Sequence, residues 1–285
     1  MASGFILINK RIGVTSRSVD NKIQRLFHTR KVGHLGTLDP FASGLLVIAI
    51  DKACKALPFI DDSFKQYRAV MKFGEKTNTG DLTGEVIKEL PFELYSLERI
   101  NKVLNSFIGE SEQVPPMSSA LHHDGQRLYD LSRKGIVVER KPRKISIKSL
   151  KLLSFHDNLF EFEVLCSRGT YVRTLGEDIA EALGTCAHLV ELERLQIGNI
   201  LLKNAKDIDE ISEDDLLDPI NLITLKHVIV EEPSLIKAIK DGKIISLEEV
   251  DDTVLLCQKE EDRLVALAVY QRKEGKIYSS LRGLW

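Results

Sequence analysis

The chain has 285 residues, of which 43% are hydrophobic and 29% are charged, and its formal net charge is −2. These values are close to the averages of globular proteins, so they exclude collagen-like, coiled-coil and disordered chains and predict about two domains. The longest apolar run, at residues 45–50, is far shorter than a membrane-spanning helix. The apolar stretch at 5–8 is too short for a signal peptide. We therefore expect a cytoplasmic protein with no membrane partner.

The sequence pattern of the first half of the chain predicts three strands and two helices. Strands are predicted where apolar residues alternate or run together, at 5–8, 45–50 and 67–73. Helices are predicted after Thr15 or Ser16, and between Ser96 and Gly109. The first helix has an apolar face made of Val19, Ile23, Leu26 and Phe27. Residues 33–44 hold three glycines and are loop-like.

A long excursion precedes the second half of the chain. It covers about residues 115–145 and starts at Pro115-Pro116. Strands are predicted at 145–155, 159–166, 254–257 and 265–270, and a helix runs from about 170 to 183, before Gly184. The acidic stretch 207–218 is interpreted as a solvated connection. Strands and helices mix without a regular βαβ period, which favours an α+β fold over a doubly wound sheet.

The cysteines and histidines do not form a metal-binding pattern. The four cysteines, at 54, 166, 186 and 257, include no CxxC pair, and the seven histidines form no HExxH motif. Buried hydrophobic side chains in a reducing compartment are the expected role of the cysteines. We expect neither a metal nor a nucleotide cofactor.

Charge is distributed unevenly along the chain. Residues 1–50 carry a net charge of +5 and residues 120–151 carry +6, whereas residues 205–262 carry −11. Such asymmetry is typical of proteins that contact a polyanion. The alternative is that the charged segments are solvated faces with no partner. The densest cationic run favours contact with phosphate groups, and its basic residues are Arg140, Lys141, Arg143 and Lys144.

The glycine-rich stretch at 33–44 is the central motif, with the sequence GHLGTLDPFASG. Pro40 biases Asp39 toward an extended conformation. A carboxylate held in this way, just before a buried strand, can project outward from a rigid base. The alternative is that Asp39 only closes a turn, as Asp-Pro pairs often do.

Four blocks of sequence, in order along the chain, resemble the pseudouridine synthase B family of bacteria. The first, Gly36-Thr37-Leu38-Asp39-Pro40, is similar to the family's G-[AT]-L-D-P signature. The second begins at Tyr67-Arg68-Ala69 and continues through Thr77 to Gly84. The third is Cys166-Ser167-Arg168-Gly169-Thr170-Tyr171-Val172-Arg173, and the fourth is Ala187-His188-Leu189 with Leu192 and Arg194.

The resemblance implies the fold, the domains and the activity. It implies a catalytic domain at 1–224 with a central mixed or antiparallel sheet flanked by helices, and a small β-rich PUA-like domain at 225–285. The insertion at about 115–145 is expected to grip the TΨC arm of tRNA. The implied reaction is conversion of uridine 55 to pseudouridine, without a cofactor, by a monomeric enzyme.

The resemblance also implies roles for individual residues. Asp39 matches the family's nucleophile, and attack on ribose C1′ or on uracil C6 remain alternatives. Arg173 matches the arginine that pairs with that aspartate, and Tyr67 matches the tyrosine that stacks on the flipped base. The remaining substrate-binding candidates are His34, Tyr171, Leu192 and Asp81.

The sequence departs from the family pattern at three positions, two of them inside the excursion. The family commonly has Met-Tyr-Ser-Ala-x-Lys, whereas Ser118 and His122 stand here at the tyrosine and lysine positions. Glu193 replaces a frequent arginine. An RNA-binding or RNA-folding protein without catalysis is the main alternative function, but the intact set of Asp39, Tyr67 and Arg173 favours the enzyme. A glycosidase would require a pair of catalytic carboxylates, and the sequence offers no such pair.

Overall fold

The computed structural model describes residues 2–119, 121–123, 125–248, 251–261 and 263–284. The chain divides into two compact units, each with its own internal contacts. The first unit comprises Met1–Asp39, Leu45–Asp62 and Gly198–Trp285, and the second comprises Pro40–Gly44 and Ser63–Ile197. The chain therefore passes from the first unit to the second directly after Asp39.

Strands and helices mix along the chain without a regular βαβ period, as expected of an α+β fold. The elements of the first half are β1 (Gly4–Lys10), α1 (Ser16–Leu26), β2 (Val32–Leu35), β3 (Ser43–Ile50), β4 (Phe64–Phe73), β5 (Glu75–Thr77), β6 (Val86–Glu89), α2 (Leu97–Ser106), β7 (Gly109–Gln113), β8 (His122–His123), β9 (Gln126–Arg127) and α3 (Leu128–Arg133). Those of the second half are β10 (Arg143–His156), β11 (Leu159–Ser167), α4 (Val172–Leu183), β12 (Ala187–Ile197), β13 (Ile200–Leu201), β14 (Lys226–Ile229), α5 (Pro233–Lys240), β15 (Ile245–Ser246), β16 (Thr253–Glu260), β17 (Arg263–Glu274) and β18 (Ile277–Gly283).

The N-terminal part of the first unit is a helix on a small sheet. β1 and β2 lie on either side of β3, and Val19 and Ile23 of α1 pack into the core that these strands form. Thr15 caps α1 as predicted, because its side chain accepts a hydrogen bond from the N–H of Ser18 at 3.0 Å. Leu26 does not belong to the buried face and is 45% exposed, since Phe27 covers the core at the helix end instead.

The glycine-rich stretch begins and ends in strands, so the prediction of a loop throughout 33–44 is wrong at both ends. β2 pairs antiparallel with β3, and Gly33 lies opposite Ala49 while His34 lies opposite Ile48. Gly33 has no positive φ, so its glycine signal did not mark a turn. The loop begins only at Gly36, whose φ is 69°.

The C-terminal part of the first unit is a separate five-stranded sheet in the order β14-β16-β17-β18-β15. Tyr270 and Tyr278 are fully buried in its core, and α5, which the sequence did not predict, packs against that core. The strands expected at 254–257 and 265–270 are confirmed within β16 and β17. The PUA-like domain with a boundary at 224/225 stays a prediction.

The acidic stretch 207–218 consists of short turns that form ion pairs with basic residues of the first unit. Arg11 pairs with Asp207 at 2.6 Å, Lys22 pairs with Asp209, and Lys206 pairs with Asp215. All these groups are partly solvated, so the pairs contribute little to stability individually.

The second unit is built on an antiparallel sheet in the order β12-β4-β11-β10-β7. α2 packs against β10 and α4, and α4 packs against β12. The helices at 97–106 and 172–183 confirm the predictions, including the stop at Gly184, whose φ is 92°. β12 was not predicted because charged residues interrupt its apolar pattern, yet Arg194 within it is only 1% exposed.

The first two residues of β3 attach the segment after Asp39 to the second unit. Ser43 and Gly44 pair in parallel with Glu193 and Arg194 of β12. Gly44 has a φ of 101°, and a Cβ at this position would lie 2.4 Å from the carbonyl oxygen of Arg194. Only glycine allows the two backbones to approach this closely.

Within the part of the chain that the structure describes, the longest helix is α4 with 12 residues. No helix there is long and apolar enough to cross a membrane.

We predict that Gly44→Ala destabilises the protein more than a glycine substitution in open space. Gly109→Ala is the matched control, because Gly109 has a φ of 116° but no atom within 4 Å of the place that a Cβ would take. Both variants incur backbone strain, and only Gly44→Ala adds a clash with the backbone of Arg194, which we expect to cost about 1–3 kcal/mol more. Urea unfolding of both variants measures this difference. Equal losses of stability would contradict the close approach.

Candidate active site

In the first unit, α1 holds the loop that carries Asp39. Ser16 is buried in the first turn of the helix, and its hydroxyl donates to the carbonyl of Leu38 at 3.1 Å. The N–H of Leu38 donates back to the same hydroxyl oxygen at 2.9 Å. Two reciprocal hydrogen bonds therefore fix the backbone next to Asp39, which is itself half-buried.

His34 is fixed from both sides of its ring. Its Nδ1 lies 2.9 and 3.1 Å from the two carboxylate oxygens of Asp20, a residue that is only 2% exposed. Because an ionised carboxylate only accepts hydrogen bonds, Nδ1 carries the proton of this contact. Nε2 lies 3.2 Å from the hydroxyl of Thr37. The ring therefore links α1 to the loop that leads to Asp39.

In the second unit, Arg173 lies in the first turn of α4 and is 4% exposed. Its Nη1 donates to the carbonyl of Thr79 at 2.8 Å and to the hydroxyl of Ser118 at 2.5 Å, and it lies 3.3 Å from Oδ2 of Asp81. Its Nη2 donates to the carbonyl of Ser118 at 2.9 Å. A buried cation requires such a set of acceptors, because burial without them is costly.

Asp81 is oriented by the turn around it. Its Oδ1 accepts from the hydroxyl of Thr79 at 2.9 Å, and from the N–H and hydroxyl of Thr83 at 2.9 and 2.5 Å. Oδ2 is the oxygen nearest to Arg173. The structure thus brings together two predicted site residues, Asp81 and Arg173, whose ion pair was not predicted from the sequence.

Tyr171 precedes α4 and is held through its backbone. The side chain of Gln113 accepts from the N–H of Tyr171 at 2.8 Å and donates to its carbonyl at 3.1 Å. Tyrosine offers no side-chain cap to the helix, and the buried amide of Gln113 instead satisfies backbone groups at this position. The last residue of β7 therefore positions the start of α4.

Tyr67 and Leu192 lie on one face of the second unit's sheet. Tyr67 of β4 is opposite Arg194 of β12, and Ala69 is opposite Leu192. Tyr67 and Leu192 are therefore diagonal neighbours, within reach of an aromatic side chain. Both are nearly buried, at 9% and 7% exposure.

The basic side chains of the cluster at 140–144 differ in how exposed they are. Arg140 is half-buried, and its Nη1 donates to the carbonyl of Pro115 at 3.0 Å, which joins the two ends of the excursion. Its Nε is buried without a hydrogen-bond partner among the described residues. The other basic side chains of the cluster are exposed, namely Lys141, Arg143 and Lys144.

The residues that hold the candidate groups in place were not predicted from the sequence. Ser16 and Asp20 share the buried face of α1 with Val19 and Ile23. Polar residues inside a buried helical stripe are a detectable signal, because burial without a partner is costly. Gln113 and Thr79 gave no such local signal.

Among the described residues, no group of three or more His, Cys, Asp or Glu side chains could hold a metal ion. The four cysteines are free thiols; Cys166, Cys186 and Cys257 are buried and Cys54 is half-buried. Burial raises the pKa of the Cys166 thiol to about 12, which makes it unreactive at neutral pH.

Comparison with known proteins places the chain among RNA-modifying enzymes. Residues 24–172 match the profile described as TruB family pseudouridylate synthase, N-terminal domain. The tRNA pseudouridine synthase B of Hydrogenovibrio crunogenus is 39% identical over 276 residues, covering 95% of this chain and 90% of the relative. The enzyme of the same name from Francisella philomiragia is 37% identical over 97% of this chain and 93% of its own length.

Solved structures show the same fold at lower identity. The match to a solved structure of a Cbf5-Nop10-Gar1 complex covers 99% of this chain and 85% of the matched chain, with a TM-score of 0.72 and 21% identity. An H/ACA RNP bound to a substrate RNA containing 2′-deoxyuridine gives the same TM-score at 19% identity. The similarity confirms the expected fold.

The carboxyl group of Asp178, in α4, has a raised pKa. Partial burial, together with the nearby charges of Glu177 and Glu181, raises the pKa of Asp178 from 3.8 to about 6, against a smaller opposing effect of Lys76. The unfolded chain therefore loses this proton at lower pH than the folded protein does. The free energy of unfolding therefore falls as the pH rises from about 4 to 6. Above pH 6 the folded protein bears the full cost of ionising Asp178.

We predict that Asp178→Asn raises the melting temperature at pH 8 and that this gain disappears toward pH 4, where the wild-type carboxyl is protonated in both states. Thermal unfolding across this pH range measures the difference. Asp157→Asn, at an exposed turn, is the control for the same change in net charge. A gain that does not vary with pH would contradict the raised pKa of Asp178.

Proposed function

The chain belongs to the TruB family of pseudouridylate synthases and is a uridine-isomerising enzyme, and we propose that it converts uridine 55 in the TΨC arm of tRNA to pseudouridine. One observation carries this proposal. The chain carries Asp39, Tyr67 and Arg173 in motifs that resemble those of the family, and it is 39% identical over 276 residues to an enzyme named tRNA pseudouridine synthase B. We further propose that the enzyme acts as a monomer in the cytoplasm.

The reaction needs a nucleophile but no net oxidation or reduction. The bond between uracil N1 and ribose C1′ breaks, a bond between C5 and C1′ forms, C5 loses a proton and N1 gains one. In our proposal the carboxylate of Asp39 is the nucleophile. Attack on ribose C1′ and attack on uracil C6 both meet this requirement. The hydrogen bonds between Ser16 and Leu38 support this role, because a fixed backbone lowers the cost of orienting the carboxylate.

The other candidate residues receive roles around the flipped base. Arg173 pairs with the ionised carboxylate of Asp39 and holds its orientation. Tyr67 stacks on the extruded uracil, and Leu192, its diagonal neighbour, contributes an apolar contact. Tyr171 and His34 line the space for the nucleotide, and the pairing of His34 with Asp20 supports a fixed ring in that role.

Tritium release from a tRNA transcript labelled at uracil C5 tests the reaction. We expect wild type to release about one label per tRNA and Asp39→Asn to release none, because an amide is a poor nucleophile. The transcript with cytidine at position 55 should release none with either protein. Asp157→Asn is the matched control and should retain full activity.

Each contrary outcome has a distinct meaning. Tight tRNA binding by wild type without release of tritium would favour the alternative of an RNA-binding or RNA-folding protein. Release by wild type and Asp39→Asn at equal rates would preserve the enzyme but remove Asp39 as the nucleophile. Release from the transcript with cytidine at position 55 would place the reaction at another uridine.

The exposed basic residues of the excursion are proposed to bind phosphate groups of the tRNA. We predict that replacing Lys141, Arg143 and Lys144 together by Gln weakens tRNA binding and reduces its salt dependence, by about one unit of log–log slope for each phosphate group that is no longer bound. Binding titrations at several salt concentrations measure this slope. Lys102→Gln, which removes an exposed charge from α2, is the control. A slope equal to that of wild type would contradict phosphate contact.

A further inference from the structure

Ser118 contacts the guanidinium of Arg173 at two points. Its hydroxyl accepts from Nη1 at 2.5 Å, and its carbonyl accepts from Nη2 at 2.9 Å. The same hydroxyl donates to the carbonyl of Thr79 at 3.2 Å, and Thr79 is itself an acceptor for Arg173. The hydroxyl therefore has both a donor and an acceptor role, and Arg173 is held at two nitrogens.

Ser118 lies at the base of the excursion, which is tied to α4 at a second point. Gln113, five residues earlier, holds the backbone of Tyr171 through its side-chain amide. The bond from Arg140 to the carbonyl of Pro115 closes the base between these two contacts. One short segment, 113–118, thus holds two positions at the start of α4, its N-cap Tyr171 and Arg173 in its first turn.

We propose that Ser118 is a positioning residue, which orients the guanidinium of Arg173 from the base of the excursion. The proposal rests on the function proposed above, in which Arg173 pairs with the nucleophile. Ser118 stands where the family commonly has tyrosine. The hydroxyl of a tyrosine lies beyond a whole aromatic ring, so it cannot occupy the position of the serine hydroxyl. This contact is therefore a feature of the serine in this chain.

The neighbouring Ser119 provides a matched control. It is 3% exposed, and its hydroxyl has no hydrogen-bond partner among the described residues. Removal of this hydroxyl leaves the contacts of Arg173 unchanged. Ser118→Ala and Ser119→Ala therefore remove the same atom from adjacent residues, and only Ser118→Ala is expected to affect Arg173.

The first experiment needs no catalysis. Proton exchange at the Arg173 guanidinium is followed by nitrogen-15 NMR in the full-length, RNA-free protein, with the signal assigned by its loss in Arg173→Lys. We expect exchange to be about tenfold faster in Ser118→Ala, which loses an acceptor of the charged guanidinium, and unchanged in Ser119→Ala, which loses none. Unchanged exchange in Ser118→Ala would overturn the proposal, whether or not the protein releases tritium from tRNA.

The second experiment separates positioning from binding and from folding. Under single-turnover conditions with saturating tRNA, at a temperature where the variants are folded, we expect Ser118→Ala to react about tenfold more slowly, with the Kd for tRNA within the range of Ser119→Ala. Ser118→Thr, which keeps the hydroxyl, should restore the rate. If wild type is active and Ser118→Ala reacts at the wild-type rate, Ser118 does not position Arg173. A loss of rate matched by a loss of tRNA affinity, and not rescued by threonine, would also overturn the proposal.

Discussion

The burial of one guanidinium organises the candidate site of the second unit. Arg173 is 4% exposed, and a cation in such a place is stable only with several acceptors of suitable geometry. The acceptors come from the turn at 79–83 and from Ser118, while the cation comes from the first turn of α4. Satisfying one charge therefore brings three segments of the chain together.

Helix α1 has the corresponding role in the first unit. Ser16 and Asp20 replace apolar residues on its buried face, and each finds its partner in the stretch that precedes Asp39. Because unpaired burial of these groups is costly, the helix and the loop each determine the position of the other. The loop conformation thus depends on hydrogen bonds from a helix, in addition to the local effects of Gly36 and Pro40.

Local patterns predicted most of the longer elements, and the errors have physical causes. α2 and α4 were predicted because apolar periodicity and a terminal signal agree over ten or more residues. β2 was missed because Gly33 suggested a turn, although its backbone is extended and pairs with β3. β12 was missed because Glu191, Glu193 and Arg194 interrupt its pattern, and only the neighbouring strands make such a strand stable.

The sequence alone determined the α+β class, the motif residues and their resemblance to a family, because periodicity and motif order are properties of the chain read residue by residue. Tertiary structure decided the partners of those residues. Arg173 meets Asp81 across 92 positions and Ser118 across 55, and Tyr171 meets Gln113 across 58. No local pattern specifies such pairs, since they form only when the sheet and α4 bring distant segments together. Burial then determines which polar groups must share a hydrogen bond.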